Sequence, residues 1–132
     1  MFFSDALQKV ILIGLGSALG GNARYWLQEC IQQRWGADLP VATFIVNITG
    51  TFILGLFISI MVEKAQPHEI RQFRLFFATG FLGSYTTFST WQNETFSLTE
   101  NGSFLLAAAN AFGSLFVGFV AISLGMIVGR II

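Results

Sequence analysis

The chain has 132 residues, 54% of them hydrophobic and only 11% charged, and 15 are Phe. That balance describes an integral membrane protein and excludes an ordinary soluble domain. Seven basic and seven acidic residues cancel, which argues against nucleic acid as a partner, and the lone Cys30 excludes an intrachain disulfide or a multi-cysteine metal site.

Charged residues divide the chain into apolar stretches. The first, Val10 to Ala23, runs 14 residues without a charge. Only Lys9 precedes it, offset by Asp5, and no A-x-A site follows, so it reads as a spanning helix rather than a signal-peptide core. Lys9 and Arg24 can snorkel to the headgroups, which extends this helix over about 8–33. Gly16 and Gly20 form a G-x-x-x-G on it, a spacing that brings helices close, either within the bundle or between subunits. Arg24 either snorkels or makes an electropositive vestibule for anions.

Gly36 to Pro40 breaks the chain, and Leu39 to Val62 is charge-free for 24 residues, giving a second helix over 40–62. Thr43, Asn47 and Thr51 fall at i, i+4 and i+8 on one of its faces, beside Gly50. A mid-depth Asn is either interhelical glue or a hydrogen-bond donor along a pathway. Glu63 to Arg71 reads as a loop holding Pro67, with His68 as a solvated loop histidine.

The third helix, over 72–98, carries the sharpest anomaly. Leu75 to Asn93 lacks charge for 19 residues, yet its centre is glycine-punctuated and rich in hydroxyls: Gly80, Gly83, Ser84, Thr86, Thr87, Ser89 and Thr90. A glycine pair flanking hydroxyls permits non-helical backbone, which membranes tolerate only when it is buried in protein or lines a cavity. Phe88 and Trp91, three apart, share a face, and Glu94 falls ~16 Å beyond Gly83 along a helix, near an interface. Thr99 to Gly102 is a tight turn. The fourth helix, over 102–130, carries Asn110 and Ser114 at i and i+4, with Ser103 and Ala107 on the same stripe, and a second G-x-x-x-G at Gly125 and Gly129.

The expected architecture is therefore all-α, one domain over 1–132, with four membrane-spanning helices and the third broken at its centre. The two polar stripes offer amide N–H and hydroxyl O–H groups and no carboxylate, a lining better suited to anions than to cations. With four spans, Lys9, Lys64, Arg71, Arg74 and Arg130 share one side of the membrane against Arg34 and Arg24 on the other, a mild bias towards an inside N-terminus.

The strings "GGNAR", "TFIVNITGTFILG" and "GFLGSYTTFST" together resemble the Fluc (CrcB) fluoride channels, over nearly the whole chain. That resemblance implies an antiparallel, dual-topology homodimer in the inner (plasma) membrane, with two pores that export fluoride. It implies a central Na⁺ held by backbone carbonyls of Gly83 and Thr86. It implies a fluoride path along Asn47, Phe88, Ser89, Thr90, Asn110 and Ser114, with Arg24 electropositive near an entrance and Glu94 at a pore mouth. The chain departs from the family string "TTFSTF" by carrying Trp91 in place of the second Phe. Trp91 is expected to keep a pathway role, its indole N–H offering the anion a true donor. The charge bias is also larger than dual insertion would ideally show.

A small drug/proton antiporter of four short helices is the alternative. It needs an embedded carboxylate early in its first helix, and Val10 to Ala23 has none. A purely structural membrane protein would account for the glycines but not for three convergent polar elements. No nucleophile–base pair or metal-ligand set within the spans suggests an enzyme.

Overall fold

The computed structural model describes residues 2–64 and 67–132, with side chains described over 3–61 and 70–132. It is all-helical, and among the described residues there is no strand. Four helical rods follow one another. The first is α1 (Phe2–Trp35) and the second α2 (Val41–Lys64). The third is composite: α3 (Pro67–Phe73), a π-helical stretch (Arg74–Leu82), α4 (Gly83–Tyr85) and α5 (Phe88–Glu100). The fourth is α6 (Phe104–Ile131).

The turns follow from glycine. Gly36 has φ +83°, and its N–H donates to the Gln32 carbonyl at 2.8 Å, closing α1 with a left-handed cap. Gly102 has φ +76°; its N–H reaches the Thr99 carbonyl and that of Ser103 the Leu98 carbonyl, a Schellman ending to α5. The loop expected over 63–71 is replaced by helix from Pro67 onward. Proline lacks an N–H and carries a helical φ, so it suits the first position of a helix better than it interrupts one. His68 is thus in α3 rather than in a loop, and its side chain lies outside the described residues.

Two rods, over Val41–Met61 and Phe104–Ile131, are long and apolar enough to cross a membrane. On α6, Phe112, Leu115, Phe116 and Phe119 are all exposed, a surface that water would penalise and that hydrocarbon or a second subunit accepts. The protein core is small: Val46, Leu82 and Tyr85, with Leu27, Ile53 and Phe81 packed around them.

The rods pair as α1 with the π-helical stretch and α4, and as α2 with α6. Both G-x-x-x-G motifs serve these pairings. A Cβ on Gly16 would strike the Phe76 carbonyl, and one on Gly20 the Phe81 carbonyl; on Gly125 it would strike the Phe52 carbonyl, and on Gly129 the Ser59 side chain. Each motif is therefore a contact within the chain. Gly80 is used the same way, lying against the Ile13 carbonyl and Gly16 Cα.

Nine residues of π winding is long for a form usually seen as single turns. Aromatic residues spaced by four, Phe73, Phe77, Phe81 and Tyr85, stack along it. Successive ring centroids are 5.9, 5.5 and 5.9 Å apart and the planes are within 13° of parallel.

Candidate functional site

The third rod breaks at Thr86 and Thr87, which have φ/ψ of −81°/157° and −146°/117°. Gly80 and Gly83, expected from sequence to flank and permit the break, do not adopt its conformation; Gly83 is helical at −63°/−31°. Extended backbone suits a β-branched residue, and Thr87 also makes a good N-cap. Its Oγ1 accepts from the Thr90 N–H at 3.3 Å and starts α5.

Asn47 of α2 closes the gap. Its Oδ1 accepts from the Thr87 N–H at 2.8 Å, and its Nδ2 donates to the Thr87 carbonyl at 3.0 Å. One amide thus satisfies both backbone groups of the buried residue at the break. The break takes the helical donors from the four carbonyls of Gly83 to Thr86, and for the first and last of them the diverted donor is recorded. The Thr87 N–H, which would bond the Gly83 carbonyl in a continuous helix, goes to Asn47. The Thr90 N–H, which would bond the Thr86 carbonyl, goes to the Thr87 hydroxyl.

Beside the break lies a cavity of about 380 Å³, whose polar lining comes from Asn47, Thr51, Thr86, Thr87 and Ser114; Phe88 and Trp91 form its aromatic wall on the third rod, and Phe119 with Leu115 and Ile122 an apolar wall on α6. Among the described residues no carboxylate lines it. The rings of Phe88 and Trp91 are 5.2 Å apart and tilted by 47°, with Phe88 exposed and Trp91 buried. Trp91 Nε1 donates to the Asn110 carbonyl at 3.1 Å. The indole proton expected to face an anion is therefore spent on the backbone of α6, and Trp91 meets the cavity with its ring.

The other sequence-predicted residues separate. Ser89, one position from Phe88 and so about 100° around the helix, is exposed and outside the cavity lining. Thr90 accepts a hydrogen bond from the Thr87 hydroxyl at 3.0 Å. Asn110 is buried; its Nδ2 donates to Thr95 Oγ1 at 2.8 Å, and its Oδ1 accepts weakly from Ser114 at 3.4 Å. Asn110 borders a smaller cavity of about 180 Å³ with Leu39, Pro40, Val41, Phe44 and Leu106. Arg24 is half-buried on α1, with no carboxylate partner among the described residues.

Glu94 joins a relay that sequence reading did not assemble. Gln28 Nε2 donates to Thr43 Oγ1 at 3.2 Å, and Thr43 donates to Glu94 Oε1 at 2.7 Å. Glu94 Oε2 is buried without a partner among the described residues. Gln28 and Thr95 are two of the polar residues that sequence reasoning missed. Each had a signal: Gln28 lies four residues after Arg24, and Thr95 four after Trp91, to whose carbonyl it donates at 2.8 Å.

Comparison with known proteins gives the chain its relatives. The family described as "CrcB-like protein, Camphor Resistance (CrcB)" matches residues 11–126. A protein of Solibacter usitatus named fluoride-specific ion channel FluC is 40% identical over 122 residues, covering 92% of this chain and 98% of its own. FluC 3 of Streptomyces avermitilis is 45% identical over 97% of this chain, which spans 62% of that longer relative. A FluC of Synechococcus sp. is 35% identical over 97% of both chains. These relatives are ion channels and not enzymes, and the chain itself belongs to the CrcB family.

Proposed function

We propose that this protein is a passive, fluoride-selective channel that exports fluoride across the inner (plasma) membrane and relieves its toxicity in the cytoplasm. The observation that carries the reading is the break at Thr86 and Thr87, held by Asn47 beside a carboxylate-free cavity of amide, hydroxyl and aromatic groups. Fluoride is small and strongly hydrated, so its passage requires replacement donors. The second amide proton of Asn47 and the weakly held Ser114 hydroxyl, with the positive ring edges of Phe88 and Trp91, supply several weak ones, while the Thr51 hydroxyl donates to the Asn47 carbonyl at 2.6 Å and offers the cavity only its oxygen. Weak, multiple contacts permit exit as well as entry. In this reading Ser89, Thr90 and Asn110, which lie outside the cavity lining, extend the track beyond it, Arg24 attracts anions near an entrance, and Glu94 stands at a pore mouth.

In this reading all four rods span the bilayer, and two copies assemble as an antiparallel, dual-topology homodimer with two pores. The exposed face of α6 and the exposed Phe88 support a partner surface. The carbonyls of Gly83 and Thr86, deprived of their helical donors, fit a Na⁺ ligand set from backbone alone, contributed twice by the two subunits. When bound there, the cation adds positive charge that favours anions in the low-dielectric centre.

Efflux from liposomes holding the purified protein tests the reading. Fluoride is expected to leave rapidly and chloride hardly at all, with no opposing proton gradient required; equal passage of chloride overturns it. Orientation is checked by a cysteine introduced at position 65 or 66 in a Cys30→Ser background, because Cys30 is exposed. Labelling from outside intact cells is expected to reach about half of the protein; near-complete or absent labelling excludes dual insertion.

A further inference from the structure

Asn47 holds the break on its α5 side, and a second contact from the same turn of α2 holds it on the other. Tyr85, the last residue of α4, immediately precedes Thr86 and is buried. Its hydroxyl lies 2.9 Å from Thr49 Oγ1. Thr49 has a single hydroxyl proton, and its Oγ1 lies 2.7 Å from the Ile45 carbonyl and 3.1 Å from that of Val46. A carbonyl only accepts, so the threonine proton is committed to its own helix and Tyr85 donates to Thr49. Gly50 makes room for this approach: a Cβ there would strike the Thr86 methyl and come within 3.0 Å of Tyr85 Cδ1. The Tyr85 ring is stacked on Phe81, so its plane is set independently of the hydroxyl. Three positions of α2, at 47, 49 and 50, thus engage 87, 85 and 86 in turn.

We infer that Tyr85, through Thr49, is a positioning residue for the carbonyls of Gly83 and Thr86. Thr86 is the only residue between the two anchors. With Tyr85 tied on one side and Thr87 on the other, rotation of the peptide groups around Thr86 is confined and its carbonyl is presented before any ion arrives; the Gly83 carbonyl, two residues earlier, is set by the helical backbone of α4 that Tyr85 anchors. Releasing the Tyr85 anchor leaves the break folded but lets those carbonyls spread over more directions. The cost then falls on cation binding, which must reorder them. The inference rests on the cation reading of these carbonyls given above.

Thermal unfolding of the purified, full-length protein, followed as NaCl replaces choline chloride at constant ionic strength, provides the test. Tyr85→Phe and Thr49→Val each remove the bond while keeping ring and branching; Thr49→Ser keeps the hydroxyl. The wild type and Thr49→Ser are expected to share one Na⁺ midpoint. Tyr85→Phe and Thr49→Val should each need roughly three- to tenfold more Na⁺, the range that one such hydrogen bond supplies, and the double variant no more than either single one. If the variants are less stable at every Na⁺ concentration but keep the wild-type midpoint, the pair is only structural and the inference falls alone. A wild type indifferent to Na⁺ removes the cation reading, and this inference with it.

Discussion

Before the break, the third rod meets its neighbour through glycine. Gly16, Gly20 and Gly80 bring backbone against backbone, and the polar side chains in that contact are small: Ser84 donates to the Ser17 carbonyl at 2.9 Å and Ser17 to the Gly80 carbonyl at 3.4 Å. After the break, the same rod meets its neighbours through side-chain hydrogen bonds: Glu94 with Thr43 of α2, and Trp91 and Thr95 with Asn110 of α6. Along its seam with α1 the first half is held mainly by shape, and the second half by donors and acceptors. Shape tolerates no added atom, whereas a hydrogen-bonded seam tolerates exchange of one partner at moderate cost. A channel wall that must offer donors to an ion belongs in the second kind of seam, and the rigid first half gives it a fixed base.

Adding bulk to the first half should have the largest effect. Gly20→Val drives a side chain into the Phe81 carbonyl and Ser84, and is expected to abolish monodisperse protein on size exclusion. Gly14→Ala on the same helix meets nothing within 4 Å and should be neutral or stabilising by up to ~1 kcal/mol in thermal unfolding. If both glycines behave alike, the contrast between the halves is lost.

Asn47→Ala, at the junction of the two halves, comes next. It strands the Thr87 N–H and carbonyl, at about 1–3 kcal/mol for each buried group left unpaired. Fluoride flux should fall while protein can still be purified; normal flux with lowered stability would reduce Asn47 to an anchor. Within the second half, Trp91→Phe removes one hydrogen bond to the Asn110 carbonyl and should cost about 1 kcal/mol of stability. Because the indole proton faces α6, the fluoride concentration at half-maximal flux should not change. A weaker half-saturation would return the indole N–H to the ion path.

The smallest effect is expected at the far end of the first half. Asp5 joins Lys9 at 2.7 Å and Arg71 of α3 at 3.4 Å, and the hydrogen bond from Lys9, aided by both cations, holds its carboxyl below the ordinary value. A carboxylate depressed by folding stabilises above its unfolded pKa, and that contribution is lost as pH falls through the folded one. Asp5→Asn should therefore lower the unfolding temperature slightly at neutral pH and not at all once Asp5 is protonated. A difference that persists in acid would show that the contact is not electrostatic.

The amino-acid sequence by itself determined the helical class, the run of four rods, and the place where the third departs from regularity. Those features depend on local composition: long uncharged runs, glycine at the turns, and hydroxyls where a lipid-facing helix would have none. It also pointed to Asn47, Phe88, Asn110 and Ser114 through spacing within single helices. Tertiary structure decided what those groups do, because a partner across a helix interface has no signature in spacing along one helix. Only the packing of α2 on the third rod turns Asn47 towards Thr87 rather than leaving it free. Only the approach of α6 directs the Trp91 indole to the Asn110 carbonyl instead of the cavity. The glycines show the same division. Their pattern was legible, but whether a missing Cβ serves a break, a subunit contact or an intrachain contact depends on which backbone comes to lie against it. In this chain that backbone belongs to Phe76, Phe81, Ile13 and Phe52.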